Sequence, residues 1–362
     1  MLPDLESQSS ADREPTVPGE ESYGDTAIPR LWRGLTKLQN LDQSLFAIVA
    51  FVLLVGIFGS ISPVLFTQAG WLAFAETAIE SLLLATGQLF VILTGGIDLS
   101  DGAILGLSAT LGAIIMKALA APTALGGTGA VVVGSVGALA VGGGCGALNG
   151  FLIGEFGLTP FITTLGTLAL FTGTEYLIDG GVAVFNLPNL VGTIGGLDLA
   201  GWLPVMFVVT VAVLLAFWWL LSKTRFGLWT YALGSNRKAA VRAGVGVRRH
   251  LVAVYSISGI LAAVAALSDL TRYTAASTTL GVNDELTAIA AVIIGGVSLA
   301  GGQGRFAGAI AGALILSLIV EGLVLAGVSA FWEEVIEGAI VLLAVYLQIG
   351  VRGARNPEVS AT

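Results

Sequence analysis

The sequence predicts an all-α fold, a polytopic membrane helical bundle of about ten transmembrane helices, and three observations carry that reading. Hydrophobic residues make up 55% of the 362 and charged residues only 11%, against about 25% charged in an ordinary soluble domain. Ten stretches read as bilayer crossings, for which roughly 20 mostly apolar residues suffice. Glycine supplies 50 residues without a triplet period, and small residues let membrane helices approach closely.

The chain opens on an acidic tail. Asp4, Glu6, Asp12, Glu14, Glu20, Glu21 and Asp25 stand against Arg13 alone in the first 28 residues. Pro, Ser and Glu dominate there, and no apolar run of signal-peptide length is present. Residues 1–40 therefore read as a disordered tail ending in a basic juxtamembrane segment, residues 41–351 as the transmembrane domain, and residues 352–362 as a second tail. The crossings fall at about 45–66, 74–95, 101–121, 128–154, 160–178, 204–222, 250–274, 286–300, 305–327 and 331–350. Pro160 sits at the first turn of the fifth, a position proline tolerates.

Basic residues set the orientation, because they stay on the cytoplasmic side. They gather at Arg30, Arg33 and Lys37, between Lys223 and Arg249, and at Arg352 and Arg355. Six crossings separate the first cluster from the second, and four separate the second from the third. Both numbers are even, so all three clusters and both termini are expected in the cytoplasm of a multi-pass cell-membrane protein. The loop from Asp179 to Leu203 is expected outside.

The loop at 223–249 is too long for a minimal connection. KTRFGLWTYALGSNRKAAVRAGVGVRRH is amphipathic and carries seven Lys and Arg between Lys223 and Arg249. Asn236 to Ala243 is rich in helix formers, with Ser235 or Asn236 available as N-cap and Gly244 as a stop. The expectation is a short helix lying against the cytoplasmic face. A loop that is basic only because it faces inward is the plainer alternative.

Two glycine pairs interrupt apolar runs. LTGGIDLSDG spans 93–102 and IIGGVSLAGG spans 293–302, so Gly95-Gly96-Ile97 aligns with Gly295-Gly296-Val297 at an offset of 200. A glycine pair weakens a helix, and an Asp or Ser just after it can cap a new one. In a bilayer, non-helical backbone survives only where protein or water satisfies it, and half-helix ends often line transport paths. Asp98 and Ser100 are thus candidates either for lining a path or for capping a turn; Asp101 follows directly. The crossing order places both pairs on one side of the membrane, as a turn or a shallow re-entrant break, and makes the repeat parallel rather than inverted.

Glu76, Glu80, Gln88, Asn149, Glu175, Asp269, Glu285 and Glu321 are further polar residues in or beside the apolar stretches. Buried ionisable groups in bilayers are costly and invite a functional reading. Most lie near helix ends, where they reach water; Gln88 and Asn149 are more interior, and interhelical hydrogen bonds explain them equally well. The lone Cys145 and lone His250 allow neither an internal disulfide nor a thiolate metal cluster. No metal site and no catalytic residue is expected, since HExxH and GxSxG are both missing.

Four stretches together resemble the permease subunits of ATP-binding cassette importers of the ribose/xylose/galactose type. They are GGIDLSDGAILGLSA (95–109), LNGFLIGEFGLTPFITTLGT (148–167), GSNRKAAVRAGVGV (234–247) and ELTAIAAVIIGGVSLAGGQGRFAGAIAGALIL (285–316), and the likeness runs from about Leu45 to Ile349. The resemblance implies the importer permease fold, pairing with a second permease subunit as homodimer or heterodimer, and a path for a monosaccharide. It implies that Gly234, Ser235, Asn236, Ala239, Ala240 and Gly244 form a coupling helix docked on a cytoplasmic ATP-binding subunit. Gly95, Gly96, Asp98, Ser100, Asn149, Gly295 and Gly296 are the matching candidates for the translocation path or its helix breaks. An extracytoplasmic sugar-binding protein is implied outside, and membrane lipid, not nucleic acid, is the surrounding partner. No cofactor is expected in this chain: it lacks GxxxxGK[ST], so ATP and magnesium belong to the partner ATPase.

Permeases for nucleosides or branched-chain amino acids share the layout, but GGIDLSDG resembles the sugar type. An ion-driven secondary transporter could use Asp98 yet leaves the basic loop without a role. An intramembrane enzyme lacks any catalytic motif.

Overall fold

The computed structural model describes residues 43–120 and 126–355. The acidic tail with Arg30, Arg33 and Lys37, and residues 356–362, lie outside them. In chain order the helices are α1 (Gln43–Ile61), α2 (Gln68–Leu93), α3 (Asp101–Ala120), α4 (Gly126–Glu155), α5 (Pro160–Asp179) and α6 (Asn189–Gly195), followed by α7 (Val205–Lys223), α8 (Arg225–Ser235), α9 (Arg237–Arg242), α10 (Val247–Tyr273), α11 (Asp284–Ile294), α12 (Phe306–Leu325) and α13 (Ala330–Arg355). A single 3-10 turn, Pro63–Phe66, joins α1 to α2. The small hairpin of β1 (Asp198–Leu199) and β2 (Leu203–Pro204) pairs antiparallel, Leu199 opposite Leu203. Sequence sets the helix starts: the Thr67 hydroxyl caps α2 through Gly70 N at 3.2 Å, Pro160 opens α5, and the Thr224 hydroxyl accepts from Phe226 N at 3.1 Å to start α8.

Glycine decides how the helices pack. α2, α3 and α10 bury most of their length, whereas α5 and α7 expose most of theirs. Along α4, Gly142, Gly146 and Gly150 recur every fourth residue and lie directly on the α10 backbone: a methyl at Gly142 would overlap the Gly259 carbonyl, one at Gly146 the Tyr255 carbonyl, and one at Gly150 would sit 2.5 Å from Val252 Cα. This is the small-residue seam by which membrane helices gain van der Waals contact without a hydrophobic driving force. It continues to the helix ends, where Arg248 of α10 pairs with Glu155 of α4 at 2.8 Å. At the opposite end of α10, Arg272 pairs with Glu76 of α2 at 3.1 Å, and Gly195 of α6 rests on the Thr271 backbone.

Nine of the ten predicted crossings coincide with helices of 19 residues or more, and among the described residues seven of these are long and apolar enough to span a bilayer. The exception is the stretch 286–300. Its helix, α11, has 11 residues, about 16 Å at 1.5 Å per residue and half of a bilayer core of roughly 30 Å. The apolar run misleads because the helix stops at Gly295 while the sequence stays apolar. Ahead of α11 the chain is non-helical but satisfied by protein: Ala276 exchanges backbone hydrogen bonds with Val184 at 2.9 and 3.0 Å, and Gly281, at φ +78°, lies against the Gly102 backbone. Residues 352–355, assigned to the tail from sequence, continue α13.

Candidate functional site

Both glycine pairs end a helix in the same hydrogen-bonding motif, but from different glycines. After α2, Gly95 takes φ +83°, its N–H bonds Ile92 O at 2.9 Å, and Gly96 N bonds Val91 O at 3.2 Å. After α11, it is Gly296 that takes φ +80°, with Gly296 N on Ile293 O at 2.9 Å and Val297 N on Val292 O at 3.2 Å. These are Schellman caps, in which the left-handed residue is normally Gly. Gly95 therefore corresponds to Gly296, an offset of 201 rather than the 200 read from the letters. The other two glycines are there for space. A methyl at Gly96 would come 2.5 Å from the Tyr255 hydroxyl, and one at Gly295 would overlap the Gly308 backbone of α12.

Beyond Gly96 the chain folds back along α2. The Gln88 side chain grips both backbone groups of Asp98, donating to its carbonyl at 2.6 Å and accepting from its N–H at 3.2 Å. Gln88 lies five residues, about 7.5 Å, before the end of α2, so the break re-enters the bundle shallowly. Thr164 of α5 donates to Ile97 O at 3.1 Å. Asp98 Oδ1 accepts from the Ser100 N–H at 3.0 Å and from its hydroxyl at 2.7 Å, and Asn149 of α4 donates to the same hydroxyl at 2.7 Å. The structure thus brings Gly96, Asp98, Ser100 and Asn149 into one buried cluster, while Gly95 is exposed at the cap of α2.

Capping explains half of Asp98. Its Oδ1 organises the start of α3, whereas Oδ2 has no partner at full hydrogen-bond geometry among the described residues, and neither do Asp101 Oδ2, Asn149 Oδ1, the Tyr255 hydroxyl or the Ser258 hydroxyl; the Asp98 carboxyl faces that Ser258 hydroxyl across the break. Tyr255 and Ser258 come from α10, one turn apart, and both are buried; Ser258 stands against Gly87. These two were not singled out from the sequence, although a Tyr and a Ser on one face of an otherwise apolar helix was the available signal. Gly295 and Gly296 are not part of this cluster.

The basic loop forms two helices. α8 packs inward: Phe226 lies 6.2 Å from Phe90 of α2 and 4.4 Å from the His250 ring, and His250 Nε2 is 2.9 Å from the Thr230 hydroxyl, which gives the lone histidine a structural part. Asn236, not Ser235, caps α9, accepting from Ala239 N at 2.9 Å. Gly244 stops it at φ +84°, with Val245 N reaching Ala240 O at 3.1 Å. Ala239 is exposed, but Ala240 is buried against Leu233 and Val245, so of the two alanines only Ala239 faces outward.

Gly234 also faces inward, and the exposed Ser235 borders the same contact. A methyl at Gly234 would overlap Leu93 O of α2 and Gly302 N. The Ser235 hydroxyl donates to Gly302 O at 3.4 Å and the Tyr231 hydroxyl to Gly304 O at 3.0 Å. Burial pushes the Tyr231 phenol up from its usual pKa, which keeps it a donor.

Residues 70–345 match the family described as the permease component of branched-chain amino acid transport systems. The chain belongs to that family. The permease is 34% identical over 325 residues to the ribose import permease protein of Escherichia coli K12, covering 86% of this chain and 95% of the relative. It is 36% identical over 305 residues to the D-allose transport system permease protein of the same strain, with 83% and 90% covered. Identity to the galactose/methyl galactoside import permease protein of Haemophilus influenzae is 32% over 322 residues, with 86% and 96% covered. No solved structure matches significantly. The matched span contains both glycine pairs and the whole of α8 and α9.

Proposed function

We propose that this chain is the membrane-spanning permease subunit of an ATP-binding cassette importer for a monosaccharide such as ribose, allose or galactose. The relatives named for those sugars cover nearly their whole lengths with this chain, which favours sugars over amino acids or nucleosides. The observation that carries the coupling half of the proposal is α9: a capped helix with Ala239 and the basic residues Arg237, Lys238 and Arg242 all exposed. Such a helix offers a small-residue face rimmed by positive charge. A cytoplasmic ATP-binding subunit, holding ATP and magnesium, docks there. An extracytoplasmic sugar-binding protein delivers solute at the opposite end, where α6 and the β1–β2 hairpin lie, and a second permease subunit completes the path. Both termini are cytoplasmic. Asp98, Ser100 and Asn149 supply the polar surface of the break beside that path.

Proteoliposomes holding the complete transporter should take up sugar only with ATP and only with the ATP-binding subunit; uptake driven by an ion gradient without either would overturn the proposal. Ala239→Glu should abolish that uptake, at least about 100-fold, the loss when a charge is buried unpaired at an interface, while the bundle stays folded because the side chain is solvent-exposed. Normal uptake by this variant would remove α9 as the docking site. Orientation has its own readout: Lys238→Cys should react with a membrane-impermeant maleimide only after the cytoplasmic face is opened, and labelling of intact cells would invert the assignment.

A further inference from the structure

We propose that the turn Ser298–Gly304 is the positioning element through which the docking helix acts on both broken helices at once. The inference rests on the importer reading above. Three backbones meet at this turn with no space for a side chain between them. A methyl at Gly301 would lie 2.9 Å from Gly95 Cα and 3.0 Å from Gly234 Cα, and one at Gly302 would sit 2.7 Å from Ser235 Cα. Gly301 and Gly302 hold φ of +83° and +69°, and the turn is closed on itself by Ser298 N on Gln303 O and Gly301 N on Ser298 O, each 2.9 Å.

Each neighbour is a helix end. The last four carbonyls of a helix lack partners within it; the Schellman cap serves Val91 and Ile92 of α2, and the Leu93 carbonyl accepts instead from Gly302 N at 2.9 Å. The turn therefore completes the C-cap of α2 from a distance of two hundred residues. It is also continuous with the C-cap of α11 through Val297 and with the start of α12 at Phe306. On its third side it receives the Tyr231 and Ser235 hydroxyls of α8, and α9 begins two residues after Ser235. Close-packed backbone transmits displacement rather than absorbing it. A shift of α9 is thus delivered through Gly234 and Ser235 to the turn, and from the turn to the ends of α2 and α11 together. A single connection keeps the two breaks in step.

The test is the number of sugars moved per ATP hydrolysed in proteoliposomes of the complete transporter, a ratio that loss of folded protein alone does not change. Gly302→Val should leave ATP hydrolysis running and lower the ratio at least about tenfold, on the scale of an overpacked contact. Tyr231→Phe, which deletes one hydroxyl and leaves the ring, should lower it about threefold, on the scale of one hydrogen bond. It decides the matter should Gly302→Val fail to fold. An unaltered ratio in Tyr231→Phe, or in a folded Gly302→Val, overturns the inference while the importer reading stands. Absence of ATP-driven uptake by the unaltered transporter overturns both.

Discussion

Gly146→Ala should destabilise the bundle by about 3 kcal/mol, at the upper end of what overpacking costs, although it adds one methyl. That methyl would overlap the Tyr255 carbonyl and lie 3.0 Å from Ser256 Cα. Backbone is the obstacle, so no rotamer change relieves the clash and α10 must move off α4. Movement there also opens the neighbouring contacts of Gly142 and Gly150 and shifts Tyr255 and Ser258 away from the break. Gly144→Ala, two residues earlier on the same helix, is the control. Nothing lies within 4 Å of its methyl, and the gain in helix propensity should make it neutral or stabilising by up to about 1 kcal/mol. Thermal aggregation of the two purified variants in one detergent measures the contrast; equal melting temperatures would refute the seam.

The second large effect is on uptake. Asp98→Asn should cut sugar uptake at least about tenfold, the factor that one charge-assisted hydrogen bond represents, while stability changes little. An asparagine keeps an acceptor for the Ser100 N–H and hydroxyl, so the start of α3 survives, and the change is confined to the second carboxyl oxygen, on the side that faces Ser258 of α10. Asp98→Ala removes both oxygens and should lose stability as well as uptake. If Asp98→Asn transports normally and Asp98→Ala does not, the carboxylate serves as a cap alone. Uptake per folded molecule, with folding followed by gel filtration, separates these outcomes.

Composition and apolar length made the helical bundle legible, because a bilayer imposes its thickness on the sequence. Caps were legible where one residue makes them: Pro160, Asn236 and Gly244 all act within a few positions of their own place in the chain. Gln88 and Asn149 were noticed as interior polar groups, but their shared work on residues 98 and 100 was not. Those pairings join elements brought together only by the fold. The repeat shows the same limit. Letters align the two glycine pairs at 200, yet a helix ends where its hydrogen bonds end, and one more residue of helix, Ile294, moves the left-handed turn from the first glycine to the second. Ala240 is a further case: composition puts it on the same small-residue surface as Ala239, and helix geometry turns it a hundred degrees away into the protein.

The half-length of α11 bears on how the polypeptide enters the bilayer during synthesis. Eleven helical residues and a lead-in of turns leave too many peptide groups unpaired to dissolve in lipid alone, so this segment is not expected to insert as an independent hairpin. Val184 supplies backbone hydrogen bonds to Ala276, and Gly102 and Gly308 give the close backbone approach that Gly281 and Gly295 need; these belong to segments made as many as a hundred and eighty residues earlier and about fourteen later. The eighth passage is therefore expected to settle only against neighbours already in place, and its last contact, Gly295 on Gly308, waits until α12 has left the ribosome.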